Sequence, residues 1–119
     1  MHQTSENGGK YTLPGGTVED NEFAKLSLIR EMLEETGILV DLESLELVHT
    51  LHKKKGTNTR IVLYFKSEKW VGKPISRELN KFKEVGWYDL QNLPKPLSPT
   101  VKHVLNQFQK KILYSEFSK

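Results

Sequence analysis

Residues 22–36 contain no glycine and no proline, are rich in Glu, Leu and Met, and run straight into Gly37. This composition predicts an α-helix, with Gly37 where a C-cap glycine belongs. At about 100° per residue, Glu34 and Glu35 each fall within about 60° of Glu31, whereas Ile29 and Leu33 point to the opposite side. One face therefore carries three carboxylates and the other can meet a core. Like charges three and four residues apart weaken a helix by a few tenths of a kcal/mol per pair. On the triad alone a solvated acidic face accounts for them. The alternative is a hard divalent cation, since Mg²⁺ is commonly held by one or two carboxylates plus substrate phosphates.

The charge map sharpens the point. The chain carries a formal charge of +3. The stretch Glu19 to Glu46 holds nine acids and two bases, a net of −7, and the remainder sums to +10. A basic protein thus encloses an acidic island around the predicted helix. A chain of 119 residues fits one domain with a single packed core. It has no cysteine, which excludes a disulfide framework, a Cys-based zinc or iron–sulfur site and a thiol nucleophile. A reducing compartment fits this, and a cytoplasmic location is expected. No apolar run approaches the ~20 residues of a membrane span, and the start, Met1 to Asn7, lacks the basic and apolar regions of a signal peptide. The basic balance alone suggests nucleic acid, but no motif that reads a polymer accompanies it.

The rest of the chain reads as strands and one more helix. Tyr11-Thr12-Leu13 predicts a short strand stopped by Pro14-Gly15-Gly16. Residues 45–52 alternate apolar and polar, and Arg60 to Phe65 is a second strand, so the two predict a hairpin around a basic turn, Lys53 to Asn58. Trp70-Val71-Gly72-Lys73-Pro74 breaks the pattern, and Glu84 to Tyr88 predicts another strand. Ser98-Pro99 is a helix start, after which Val101, Val104, Leu105, Phe108 and Ile112 fall on one face. This order predicts an α/β fold with a mixed sheet and helices on both faces.

The residues around the triad carry more than charge. Gly16 is followed after five residues by Glu22, and after seven more by Arg30-Glu31-Met32-Leu33-Glu34-Glu35-Thr36-Gly37-Ile38. Together with the preceding Leu13-Pro14-Gly15, this run resembles the Nudix box, residues 16–38, and the chain resembles a MutT-like Nudix hydrolase. The resemblance implies one Nudix domain over residues 1–119, an α/β/α sandwich with a mixed sheet. Only fifteen residues precede Gly16, so the usual first strand of such a domain is expected to be absent. An edge exposed in this way favours pairing with another chain, and a homodimer is the partner expected from it.

The resemblance also implies roles. Glu31, Glu34 and Glu35 match metal-binding glutamates, with Glu31 also a candidate base for the attacking water. Arg30 and Glu22 match the Arg and outer Glu that orient the catalytic helix, a purely structural ion pair being the alternative. Gly16 and Gly37 match the backbone turns at the helix ends. The implied cofactor is Mg²⁺, or Mn²⁺ in its place, because a pyrophosphate repels a nucleophile until a cation neutralises it. The implied substrate is a nucleoside diphosphate linked to another group. Some members use an additional late carboxylate, for which Glu78 and, behind it, Glu84 are candidates. Lys53, Lys55 and Arg60 are candidate contacts to substrate phosphate, though a solubilising hairpin explains them equally. Trp87, Tyr88 and Phe82 are read as core, with base stacking as the alternative. His49 and His52 are unassigned.

Three subclass markers are missing: a downstream proline where this chain has His52-Lys53, a tyrosine where it has Lys54-Lys55-Gly56, and the upstream coenzyme A motif. Their absence leaves a nucleoside triphosphate or modified nucleotide, cleaved to monophosphate and pyrophosphate, as the expected substrate. A Nudix-like nucleotide-binding or regulatory module with weak turnover is the competing reading. Neither a nucleic acid polymer nor a membrane is expected as a partner.

Overall fold

A computed structural model describes residues 1–15 and 17–118. The box residue Gly16 lies outside the described residues. Seven strands and two helices follow in the order β1 (His2–Gln3), α1 (Ala24–Thr36), β2 (Leu39–Val40), β3 (Glu46–Lys55), β4 (Asn58–Lys66), β5 (Trp70–Val71), β6 (Phe82–Glu84), α2 (Pro99–Gln109) and β7 (Tyr114–Ser118).

The largest sheet has the order β4-β3-β7 and is mixed. β3 and β4 form the expected antiparallel hairpin, in register from Lys55 opposite Asn58 to Leu47 opposite Phe65, with one irregularity between Leu47 and His49. β7 joins β3 in parallel. Two small antiparallel pairs, β1 with β6 and β2 with β5, flank it.

The helices take opposite faces of this sheet. α1 presents Leu28, Ile29 and Met32 to a cluster of Ile38, Val40, Leu45 and Phe65. Side chains alternate along a strand, so Phe65 and Tyr64 point to opposite faces. Tyr64 approaches His49, whose Nε2 is 2.7 Å from Ser115 Oγ; His103 of α2 reaches the same oxygen at 2.9 Å. Val101 and Val104 of α2 are buried as well. His49 is only 1% exposed, yet its ring is satisfied, because Nδ1 also meets the Ile112 carbonyl at 2.8 Å.

Several predicted elements change. Only Tyr11 of the expected strand 11–13 pairs, as an isolated bridge to His2 and to Leu97. The expected strand 84–88 is instead Phe82–Glu84, and Trp70–Val71, read as a break, pairs with Leu39–Val40. Lys53, Lys54 and Lys55 belong to β3, so the turn shrinks to Gly56-Thr57. β7 is an element that the sequence pattern does not announce. Leu33 is exposed rather than core-facing, and Met32 takes its place in the packing. Ahead of Pro14 the described residues form one strand, the two-residue β1, which pairs with β6 and not with the β4-β3-β7 sheet. No helix among the described residues is long and apolar enough to cross a membrane.

Candidate active site

The helix that carries the glutamates is ended tightly. Gly37 adopts φ 76° and its N–H returns to the Leu33 carbonyl at 3.1 Å. This left-handed turn is cheap only for glycine. Thr36 completes the cap: its hydroxyl donates to the Met32 carbonyl at 2.6 Å and accepts from the Ile38 N–H at 3.2 Å. Burial of Thr36 and Ile38 then anchors the helix end in the core.

The three box glutamates diverge from here. Arg30 Nη1 lies 3.0 Å from Glu31 and 3.2 Å from Glu34. Its remaining nitrogens grip Glu22 through two bonds, Nε at 3.1 Å and Nη2 at 2.8 Å. Such a bidentate pair is geometrically demanding and strong for its kind. Hydrogen bonding to Arg30, with help from the Glu19 N–H, holds the Glu22 carboxyl down at about 2, and the same contact raises the guanidinium above its usual value. Glu22 and Arg30 therefore tie the loop before α1 to the helix.

Glu35 points inward and is only 3% exposed. Burial, followed by a proton shared with Glu31 and by Glu31's charge, pushes its carboxyl up to about 7. The Gly15 N–H, 3.4 Å from Oε1, opposes the rise; the charge of Glu78 adds to it. A negative charge beside a buried carboxyl disfavours its ionisation, as Glu31 does here for Glu35. Hard oxygen donors set against each other in this way fit a divalent cation, which would relieve the repulsion. Among the described residues no three His, Asp or Glu side chains are already gathered as a cation cage. Glu34 is turned away to Arg30, and Glu78 pairs with Lys81 at 3.8 Å.

The other candidates separate. Glu84 accepts from the Tyr11 hydroxyl at 3.3 Å and lies 3.7 Å from His2 Nδ1. Lys53 faces Arg60 across the hairpin and Lys55 faces Asn58. At ~3.4 Å per residue they stand between about 17 Å (Arg60 from Phe65) and about 27 Å (Lys55 from Leu47) along the strands from the Leu47–Phe65 end, where α1 packs. The structure does not bring them together with the glutamates. Trp87 and Tyr88 are not core: Trp87 is 60% exposed and lies 5.1 Å from the Trp70 ring. Phe82 is half-buried in β6. Trp87 and Tyr88 line an apolar cavity of about 200 Å³ that α1 reaches with Met32 and Thr36. Sequence reasoning missed the cap by Thr36 and the contacts of Arg77 to the helix end. The Thr36 hydroxyl beside a C-cap glycine was a usable signal; Arg77 offered none.

Comparison with known proteins bears on the family and the fold. The family model described as NUDIX domain matches residues 1–108. The chain is 32% identical to the Nudix hydrolase YvcI of Bacillus subtilis over 86% of its own length and 66% of that protein's. It is 33% identical to an ADP-ribose pyrophosphatase of Methanocaldococcus jannaschii over 73% of its length and 50% of that protein's. It is 32% identical to an 8-oxo-dGTP diphosphatase of Buchnera aphidicola over 87% of its length and 75% of that protein's. The chain thus spans less than two thirds of the length of the first two of these relatives. The crystal structure of a MutT NUDIX hydrolase from Burkholderia pseudomallei superposes with a TM-score of 0.75 at 26% identity, covering 83% of this chain and 77% of that one.

Proposed function

This chain belongs to the NUDIX domain family, and we propose that it is a Mg²⁺-dependent hydrolase of a nucleotide phosphoanhydride. The observation that carries this reading is the Glu35 carboxyl, buried at the capped end of α1 and met by the Gly15 N–H, within a chain that matches the family model over residues 1–108. Mn²⁺ would serve in place of Mg²⁺. The favoured substrate is a nucleoside triphosphate or modified nucleotide, released as monophosphate and pyrophosphate. The relatives named for 8-oxo-dGTP and ADP-ribose both support an anhydride within a nucleotide, and leave the choice of nucleotide to experiment.

Glu31 and Glu35 would hold the cation, with Glu34 joining once it leaves Arg30 and Glu78 approaching from its own loop. A bound Mg²⁺ supplies charge neutralisation for the phosphates and a water of lowered pKa. The chain supplies the rest. Glu31 accepts the proton of the attacking water. Arg30 keeps Glu31 oriented and, through Glu22, fixes the loop that enters the helix. The Gly15 N–H holds Glu35 from the other side. Trp87, lining the cavity that Met32 also borders, offers a ring on which a base can stack.

A phosphate-release screen over nucleoside triphosphates, modified nucleotides and dinucleotides, run with Mg²⁺ and with EDTA, tests this. Mg²⁺-dependent turnover that Glu31→Gln and Glu35→Gln each abolish is the expected result. Nucleotide binding without turnover would replace the proposal with a binding or regulatory role. The outer edges of β4 and β7 are unpaired among the described residues, which supports a homodimer formed through one of them. A monodisperse monomer in light scattering would remove that part.

A further inference from the structure

The end of α1 is gripped from outside the box. The Ile75 N–H donates to the Thr36 carbonyl at 3.0 Å and the Arg77 N–H to the Glu35 carbonyl at 3.1 Å. The Arg77 guanidinium donates from Nη1 to the Leu33 carbonyl at 3.4 Å. Its stem crosses the helix end so closely that a Cβ on Gly37 would sit 3.6 Å from Arg77 Cδ. One residue thus touches the final turn of α1 through its backbone, its stem and its charge.

The charge answers a local need. A helix C-terminus is the negative pole of the helix dipole and leaves carbonyls without partners. The last turn of α1 contains no basic residue, yet Glu34 and Glu35 sit there. Arg77 brings a cation and a donor to that turn from a separate segment. The next residue along that segment is Glu78, so the backbone bond from Arg77 to the Glu35 carbonyl brings Glu78 to the end of α1 that carries Glu35. A strap running from Ile75 to Glu78 therefore joins two carboxylates that lie on different elements.

We propose that Arg77 is a positioning residue: it locks the strap to the end of α1 and so sets the spacing between Glu35 and Glu78. The inference rests on the cation-binding reading of these glutamates. In this role Arg77 acts through the helix end and not on substrate or cation directly.

The test uses the full chain and Mn²⁺ as probe, followed by electron paramagnetic resonance, alongside turnover of the best nucleotide from the screen. Arg77→Met keeps the stem over Gly37 and removes the charge and its donor. It is expected to weaken Mn²⁺ binding about tenfold, the lower range for losing an outer partner of a metal site. kcat falls with it while the KM for nucleotide stays within about twofold, as for a residue that does not contact substrate. Arg77→Lys restores most of the Mn²⁺ affinity, because it returns the cation to the helix end. Wild-type Mn²⁺ binding in Arg77→Met overturns the inference and leaves the hydrolase reading standing. So does a loss that Arg77→Lys fails to rescue and that merely follows a lowered Tm. A wild-type chain that binds no Mn²⁺ overturns the hydrolase reading first, and Arg77's role with it.

Discussion

Replacing Glu35 by glutamine should stabilise the cation-free protein while abolishing its activity. The carboxyl rises from an ordinary 4.5 to about 7 in the fold. Between those values the folded state binds the extra proton, so stability falls as pH rises across this window and the loss is complete above about pH 7. At about 1.4 kcal/mol per pH unit the nominal effect is about 3 kcal/mol. Solvent screening reduces the expected figure to about 1–2 kcal/mol. The substituted amide would be neutral at every pH and would keep an oxygen to accept the Gly15 N–H. Urea denaturation in EDTA should therefore find Glu35→Gln more stable than wild type by about 1–2 kcal/mol at pH 8 and equal to it within about 0.5 kcal/mol at pH 5. Adding Mg²⁺ at pH 8 should reverse the order, because only a folded chain with the carboxylate gains from binding. A variant less stable than wild type at pH 8, or a gap that is the same at both pH values, would refute the argument that Glu35 is a strained carboxylate awaiting a cation.

Three further outcomes follow from the same contacts. Thr36→Val removes a buried hydroxyl that both donates and accepts; chemical denaturation should show a loss of about 1–3 kcal/mol. Gly72→Ala should cost more than Gly37→Ala. Gly72 has φ 105° and its new Cβ would lie 2.9 Å from the Gly37 carbonyl oxygen, whereas the Cβ on Gly37 has 3.6 Å of room; equal Tm values for the two variants would contradict this. Glu22 has its pKa depressed from 4.5 to about 2, so its contribution is present above about pH 4.5 and disappears as pH falls toward 2. Glu22→Gln should accordingly flatten the acid limb of the stability–pH curve between those values, and a limb as steep as wild type would show that the Arg30 pair does not govern it.

The parts legible in the sequence are those whose causes are local. α1 is readable because its glycine-free run, its charge pattern and its glycine stop all lie within a few turns. The hairpin is readable because alternation and a glycine turn are adjacent in the chain. β7 is not, because the parallel partner of Tyr114–Ser118 is β3, far earlier in the chain, and its own alternation is only five residues long. The burial of His49 is hidden for the same reason: the groups that satisfy it, Ile112 and Ser115, come from that distant strand and the turn before it. The basic hairpin residues are legible as a hairpin, but their distance from the glutamates is not, because closeness to a turn gives no distance along a sheet.

The glutamates show where this division matters for function. A helical wheel places Glu31, Glu34 and Glu35 on one face but cannot divide them, since Arg30 sits at the right spacing to draw Glu34 away while Glu31 remains within reach of both Arg30 and Glu35. The division depends on Glu22, which takes two of the three nitrogens of Arg30 and leaves only Nη1 for the helix. The strap at Ile75 to Glu78, which no periodicity connects to the helix, bonds to the same end of α1. A cation site assembled from one helix alone could be built by three carboxylates repelling one another on a solvated surface. Here one carboxylate is driven inside, one is shared and one is held in reserve by an arginine. On the proposed cation-binding reading Glu34 would have to leave Arg30 to join Glu31 and Glu35, and the cap at Thr36 and Gly37 fixes the helix end from which it would turn.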